Sequence, residues 1–420
     1  MENSKNQTIR EVLGHAGCSN LVVYDPGTGD KERSRVCIVK MYGSSRMTDM
    51  LQDEGIRRFA EYGYRAANCA PRNGFFIDQI PSLSDCIQWI KANIEGVEKV
   101  VLWGNSRGCN LTSAYQRIAE NGAATFQGPE MFAPIPDMEL VPADGIVCCD
   151  ANFGFTANHM ISLATNMRDD CTAGDRTSPE LDPIAPENGY DPATGAATYS
   201  DNFLKAMWKA QASRYNRLLA QAQERWKLIQ SGRGMFSDDE PFTVVMGFGN
   251  VNTYQLYTHD VRFFSTTLAP HKLIHKDGTI TTQIIPTVRS AKPSPADFAS
   301  ISKGYQTKVS EYLYCGMKVD EDTFRYDESR IYGVDVDNTL ACAHGNAAYI
   351  KCPTLAIGRT DGFEFVVAEW IYERSAAQKK DCVFVEGMTH GGGCNDPEKY
   401  GDVIKLENDY IDQWIRENVL

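Results

Sequence analysis

Apolar and polar residues follow two periods along the first 150 residues. Short apolar runs, typical of buried strands, alternate with longer segments in which apolar residues recur every three to four positions, as in helices packed on a sheet. This alternation predicts a mostly parallel sheet with helices on both faces. The predicted strands are 20–24, 36–41, 65–70, 100–103 and 145–149, and the predicted helices are 48–62, 82–94 and 107–121. The Pro- and Gly-rich turn D-P-G-T-G-D between the first two runs predicts that they form an opening hairpin.

The pattern changes after residue 150 and returns near residue 348. A loop rich in Asp, Pro and Gly covers 169–200, a long helix is predicted at 201–229, and an aromatic-rich stretch follows. The strand 352–361, the helix 365–378, the strand 382–385 and the amphipathic helix 403–418 then complete the first pattern. We therefore expect a core formed by 1–150 and 348–420, with 151–347 inserted as a cap. This cap is either a packing or dimerisation unit or a lid above a pocket.

Composition narrows the classes of partner. A chain of 420 residues exceeds the usual size of one domain, so either one large domain with a substantial insertion or two domains are expected. The net charge of −13 argues against nucleic acid or anionic lipid as a partner, and no apolar stretch approaches the length of a membrane span. The first ten residues lack the apolar segment of a secretory signal, and the 13 scattered cysteines are best explained as reduced, mostly buried thiols. We expect a cytoplasmic protein without a metal site.

The segment K-V-V-L-W-G-N-S-R-G-C, residues 99–109, places Ser106 between an apolar strand and a helix, in the pattern G-x-S-x-G. A serine on such a turn projects above the sheet, and Gly104 and Gly108 supply neighbours without side chains. At this helix start the backbone N–H of Arg107 could stabilise a developing oxyanion. The simpler alternative is an ordinary strand–helix turn in which Ser106 caps the helix.

A serine nucleophile needs a general base and a carboxylate that orients it. Of the seven histidines, only His390 follows a late strand in a glycine-rich loop, where its ring could reach the serine. Asp361 lies at the end of the apolar strand 352–361 and is the expected acid, and Asp150 and Glu364 are the alternative acids. The alternatives are that His390 caps a turn and that Asp361 caps a helix.

These residues resemble the α/β-hydrolase superfamily, in which the chain order is Ser, then Asp or Glu, then His. The matching segments are G-N-S-R-G at 104–108, Thr360-Asp361, M-T-H-G at 388–391 and the early loop Tyr42-Gly43-Ser44. The resemblance implies an α/β-hydrolase fold with a large, mainly helical cap inserted after the sixth strand. It also implies a second oxyanion N–H from Ser44 or Gly43. The expected function is that of a serine hydrolase acting on an ester, lactone or amide of a medium-sized, fairly apolar small molecule without a cofactor, with a homodimer through the cap as one possible assembly.

Two other functions fit parts of the sequence. The segment from Asp335 to Thr339, D-V-D-N-T, superficially resembles the D-x-D-x-T motif of haloacid-dehalogenase-like phosphatases, but too little chain follows it for that fold. It is also a common turn sequence. The other alternative is an α/β-hydrolase fold used for condensation, lyase chemistry or ligand binding, because a fold does not determine a function.

Overall fold

A ten-stranded mixed sheet runs through the centre of the protein. The structure, a computed structural model, describes residues 9–17, 19–27, 30–41, 54–128, 131–166, 178–244, 254–291 and 305–420. Its strands are β1 (Arg10–Ala16), β2 (Ser19–Asp25), β3 (Val36–Met41), β4 (Arg65–Ala70), β5 (Lys99–Asn105), β6 (Gly145–Cys149), β7 (Pro241–Val244), β8 (His271–Ile274), β9 (Ile280–Gln283), β10 (Tyr305–Lys308), β11 (Arg325–Tyr326), β12 (Ile331–Tyr332), β13 (Thr354–Arg359) and β14 (Lys380–Val385). The order in the large sheet is β1-β2-β4-β3-β5-β6-β13-β14-β8-β9.

The strands from β4 to β8 in this order are all parallel to their neighbours, and antiparallel strands extend both sides. In register, Asn105 lies opposite Cys149, and Cys149 lies opposite Ile357. The carboxyl ends of β5, β6 and β13 therefore meet at one edge of the sheet, where ligand sites of parallel sheets are usually found.

The described helices are α1 (Glu54–Glu61), α2 (Phe76–Asn93), α3 (Arg107–Asn121), α4 (Phe155–Met160), α5 (Asp201–Gln230), α6 (Leu256–His259), α7 (Val309–Tyr314), α8 (Ala343–Ala347), α9 (Val367–Arg374), α10 (Pro397–Tyr400) and α11 (Val403–Asn418). They cover both faces of the sheet and create two hydrophobic clusters. Along β3, Cys37 and Val39 belong to the cluster with α2, α3 and α9, whereas Val36 and Ile38 belong to the cluster with α1 and α11. This alternation follows from the two-residue period of a strand and confirms the predicted layered sheet.

The predicted opening hairpin is wrong. The strand β2 pairs with β1 and β4, whereas β3 lies between β4 and β5. The physical reason is burial: β3 is buried at five of its six positions, as a central strand must be, whereas β1 exposes alternate residues and suits the edge. The apolar run was recognised correctly, but its neighbours depend on contacts distant in sequence.

The insertion contains the long helix that the periodicity predicts. It begins after Ser200, whose side chain accepts a hydrogen bond from the backbone N–H of Phe203, and it continues to Gln230. Glu311 on α7 joins the insertion to the core, because its carboxylate accepts the backbone N–H of Phe76 at 2.5 Å at the start of α2. The insertion also adds β8 and β9 to the edge of the central sheet beyond β14, so part of 151–347 extends the sheet. The domain boundaries themselves stay a prediction.

Within the described ranges, no helix has both the length and the apolar character needed to cross a membrane. Eleven described cysteines carry free thiols, nine of them buried.

Candidate active site

Ser106 lies on a strained turn between β5 and α3. Its backbone has φ of 56° and ψ of −121°, a region that L-residues rarely adopt. A Cβ on Gly104 would lie 2.7 Å from the backbone N of Cys109, so this turn requires glycine at position 104. Position 108 differs from the expectation: a Cβ there would meet no atom of the described residues within 4 Å. As far as the described residues show, glycine is sterically required at position 104 and not at position 108.

The backbone around Ser106 places the first turn of α3 at the sheet edge where β5, β6 and β13 end. The N–H of Ser106 donates to the carbonyl of Cys149 at 3.1 Å and ties the turn to β6. Arg107 is the first residue of α3, where backbone N–H groups point out of the helix. Its guanidinium donates to the carbonyl of Gly74 at 3.2 Å and lies over the rings of Phe76 and Phe155, at 5.6 and 5.8 Å from their centroids. These contacts hold the Arg107 side chain, and the oxyanion role of its backbone stays a prediction.

His390 is held in a tight loop after β14. The N–H of Thr389 donates to the carbonyl of Gly393 at 2.8 Å, and the N–H of Gly392 donates back to the carbonyl of Thr389 at 2.9 Å. The imidazole Nδ1 lies 2.6 Å from Oδ2 of Asp150, and the Phe363 ring stacks on the imidazole with centroids 5.9 Å apart. With Nδ1 engaged, Nε2 is the nitrogen left to exchange a proton with a reacting group.

The structure pairs His390 with Asp150 and not with Asp361, which corrects the expected acid. Asp361 does follow β13, but its Oδ2 accepts a hydrogen bond from the side chain of Asn395 at 2.6 Å. Asp150 follows β6 with φ of 46°, is completely buried, and accepts the backbone N–H of Arg359 through its other oxygen at 3.1 Å. The sequence offered both strand ends, and the choice between them depends on the turn conformation at Asp150.

A second carboxylate reaches the same nitrogen. Oε2 of Glu364 lies 3.2 Å from Nδ1 of His390, and its Oε1 accepts a hydrogen bond from Asn158 at 3.0 Å. Burial lowers the pKa of His390, but Glu364 and Asp150 raise it by more, to about 9. Burial raises the pKa of Glu364 to about 7, against the attraction of His390. Two buried carboxylates therefore lie at the same nitrogen of one imidazole.

Arg359 connects the serine turn to the histidine loop, and sequence reasoning missed it. Its Nη1 donates to the side-chain oxygen of Asn105 and, at 2.8 Å, to the carbonyl of His390. Its Nε and Nη2 bind the carboxylate of Glu407 on α11 at 2.9 and 2.8 Å, and both side chains are 3% exposed. Burial lowers the pKa of Arg359, but Glu407 raises it by more, so the guanidinium stays charged. The sequence signal that could have identified Arg359 was an arginine at the end of an apolar strand. The shared contact shows that Asn105, next to Ser106, and His390 lie at one place.

The other predicted residues have separate outcomes. Ser44, Gly43 and Tyr42 lie outside the described residues, so the second oxyanion N–H stays a prediction. Asp335 accepts the N–H of Asp337 at 3.1 Å and the side chain of Asn338 at 2.7 Å, which is the geometry of a turn. Within the part of the chain that the structure describes, no group of three or more His, Cys, Asp or Glu side chains is arranged to hold a metal ion.

Comparisons with known proteins give structural neighbours of low similarity. No protein-family model and no curated protein matches the chain. A structure of DcsB in complex with its substrate analogue is 12% identical, with a TM-score of 0.45, and the match covers 98% of this chain and all of that one. The siderophore hydrolase EstB from Aspergillus fumigatus is 10% identical with a TM-score of 0.42, over 98% of this chain and 99% of that one.

Esterase B from Lactobacillus Rhamnosis is 15% identical with a TM-score of 0.28, over 34% of this chain. The chain spans 46% of the length of that esterase. Similarity at this level does not identify an activity, and the fold assignment comes from the chain itself. A mostly parallel sheet carries a strained serine after β5, a buried aspartate after β6 and a histidine after β14 that contacts the aspartate. With this sheet and this order of serine, acid and histidine, the chain has the α/β-hydrolase fold.

Proposed function

We propose that the protein is a serine hydrolase that cleaves an ester, lactone or amide of a small molecule through an acyl-enzyme intermediate. The observation that carries this proposal is the 2.6 Å contact between Asp150 and Nδ1 of His390, at the sheet edge where Ser106 occupies its strained turn. Orientation of the imidazole by a buried carboxylate is what a serine nucleophile requires from its base. Asp150 takes the role that the sequence had assigned to Asp361.

The reaction follows from these positions. Ser106 Oγ attacks the carbonyl carbon of the substrate while Nε2 of His390 accepts the hydroxyl proton. The oxyanion of the tetrahedral intermediate accepts hydrogen bonds from the backbone N–H of Arg107 and from that of Ser44 or Gly43. His390 then donates its proton to the departing alcohol or amine. Water attacks the acyl-enzyme, gives a proton to His390, and the carboxylic acid leaves as Ser106 regains its proton.

Aromatic rings beside the site support a fairly apolar substrate. Phe363 is partly exposed and stacks on His390, while the rings of Phe76 and Phe155 flank Arg107. From Phe363 the aromatic contacts continue into the insertion, where Tyr257 lies 5.1 Å from it between ring centroids. Aromatic surroundings of this kind favour apolar groups near the scissile carbonyl.

A fluorophosphonate probe tests the proposal directly, because it phosphonylates activated serines. We expect one adduct, located on Ser106 by mass spectrometry, and no adduct on the Ser106→Ala variant. Absence of labelling, or labelling that survives in that variant, would overturn the nucleophile assignment. A panel of aryl esters, lactones and amides then separates hydrolysis from the alternative chemistries, since a labelled enzyme that cleaves none of them would support condensation, lyase activity or ligand binding.

A further inference from the structure

Glu364 lies behind the catalytic histidine in a position that the proposed reaction does not yet use. It follows β13 and precedes α9, and its carbonyl accepts the backbone N–H of Val367 at 2.9 Å. The carboxylate is buried, with one oxygen 3.2 Å from Nδ1 of His390 and the other fixed by Asn158. Both of its oxygens are therefore directed by contacts of their own.

The imidazole has one Nδ1 proton and two carboxylates that can accept it. Asp150 is nearer, at 2.6 Å against 3.2 Å for Glu364, so the histidine donates mainly to Asp150. The second oxygen of Asp150 accepts the backbone N–H of Arg359, a neutral donor. Among the described residues, Glu364 accepts a hydrogen bond from the neutral side chain of Asn158 and forms an ion pair with His390. Its charge acts on the imidazole with little screening because the side chain is enclosed.

We infer that Glu364 is a second orienting carboxylate, a positioning residue that shares the Nδ1 proton of His390 with Asp150 and by its charge sets the pH at which His390 becomes a base. The inference rests on the proposed function for its role in catalysis. Ionisable groups from three elements act on Glu364 or His390, and these are Asp150 after β6, His390 after β14 and Arg359 at the end of β13. Tyr257 on α6 also faces Glu364, whose charge raises the pKa of Tyr257.

The electrostatics support this role. Burial raises the pKa of Glu364 to about 7, so its charge appears in the range in which enzymes usually work. When Glu364 is ionised, two negative charges favour imidazolium, and the pKa of His390 stays near 9. When Glu364 is neutral, one of these charges is absent and the imidazole loses its proton at lower pH. Removing the carboxylate should therefore lower the pKa of His390.

The first experiment is an NMR titration of His390, with its imidazole signal assigned by its loss in His390→Asn. In Glu364→Gln, we expect the titration midpoint of His390 to fall by about one unit or more. Glu386→Gln is the matched control, because Glu386 lies four residues before His390 but contacts His275, at 2.7 Å. An unchanged midpoint in Glu364→Gln, or an equal shift in the control, would overturn the inference.

The second experiment follows fluorophosphonate labelling of Ser106 against pH. At pH values below the His390 midpoints of both proteins, a one-unit fall in this midpoint should make Ser106 label about tenfold faster in Glu364→Gln than in the wild type. A residue that only supports the fold would lower the labelling rate at every pH without moving the midpoint. If wild-type Ser106 is not labelled at any pH, the proposed function fails, while the NMR titration still decides whether Glu364 acts on His390.

Asn158→Ala provides a second variant should Glu364→Gln fold poorly. The hydrogen bond from Asn158 lowers the pKa of Glu364, so its loss keeps the carboxylate neutral to higher pH. The step that ionisation of Glu364 produces in the NMR shift of the His390 imidazole should then move to higher pH than in the wild type. A wild-type titration without this step, or a step at the same pH in Asn158→Ala, would contradict the inference.

Discussion

Replacement of Asp150 by asparagine tests which carboxylate orients His390. The variant loses a charge-assisted hydrogen bond of 2.6 Å, and such a bond contributes about 1.5–3 kcal/mol. At about 1.4 kcal/mol for each factor of ten, the rate of serine modification should fall by about 10 to 150-fold. Glu364, 3.2 Å from the same nitrogen, limits the loss because it can still accept the Nδ1 proton. We expect a fall of about 10⁴-fold when Glu364→Gln is added, as in sites whose histidine has lost its carboxylate.

The assay is the second-order rate of fluorophosphonate labelling of Ser106, taken at the alkaline plateau so that changes in the pKa of His390 do not contribute. Asp361→Asn is the matched comparison, because Asp361 follows the neighbouring strand and contacts Asn395. Its rate should stay within about twofold of the wild type, as expected for a carboxylate that contacts Asn395 while Asp150 contacts His390. A large loss in Asp361→Asn together with no loss in Asp150→Asn would refute the reasoning and restore the acid that the sequence suggested.

Three further predictions concern stability. Gly104→Ala places a Cβ 2.7 Å from the backbone of α3 and should lower the free energy of unfolding, measured in urea, by about 1–3 kcal/mol. Gly108→Ala should be neutral or stabilise by up to about 1 kcal/mol, and equal effects of the two variants would contradict this account of the turn. Arg359→Leu leaves the Glu407 charge buried and unpaired, so it should lower the free energy of unfolding by about 3–5 kcal/mol. Adding Glu407→Leu should recover most of this loss, and an Arg359→Leu variant as stable as the wild type would argue against the ion pair. Because burial raises the pKa of Glu364 from 4.5 to about 7, ionisation destabilises the native state as pH rises through this range, so Glu364→Gln should melt at the wild-type temperature near pH 4.5 and at a higher temperature above pH 7, by roughly 3 kcal/mol of unfolding free energy. Thermal melts that show the same difference at both pH values would exclude this coupling.

Features that depend on neighbouring residues could be predicted from the sequence. The strand and glycine before Ser106 predicted its turn, and the structure gives it φ of 56°. The apolar period predicted the helix 403–418, which is found as Val403–Asn418. Both rest on short-range preferences, since backbone sterics and the 3.6-residue period act within a few residues.

Features that depend on which segments meet could not be predicted in the same way. The run at 36–41 was recognised as a strand, but its position between β4 and β5 results from long-range pairing. The strands β8 and β9 are short, and β9 is exposed at all four positions, so their place at the sheet edge left no clear apolar signal.

The sequence by itself determined the layered sheet, the serine on its turn and the histidine in its late loop, because each of these has a local pattern of apolar residues and glycines. Only the tertiary structure decided which carboxylate contacts His390. Asp150, Asp361 and Glu364 all lie near strand ends in the sequence. Asp150 lies 2.6 Å from the His390 imidazole, whereas Asp361 contacts Asn395, because the chain turns differently after the two strands. The Arg359 contacts with Glu407 and the carbonyl of His390 were likewise decided by packing, because they join segments that are 31 or more residues apart.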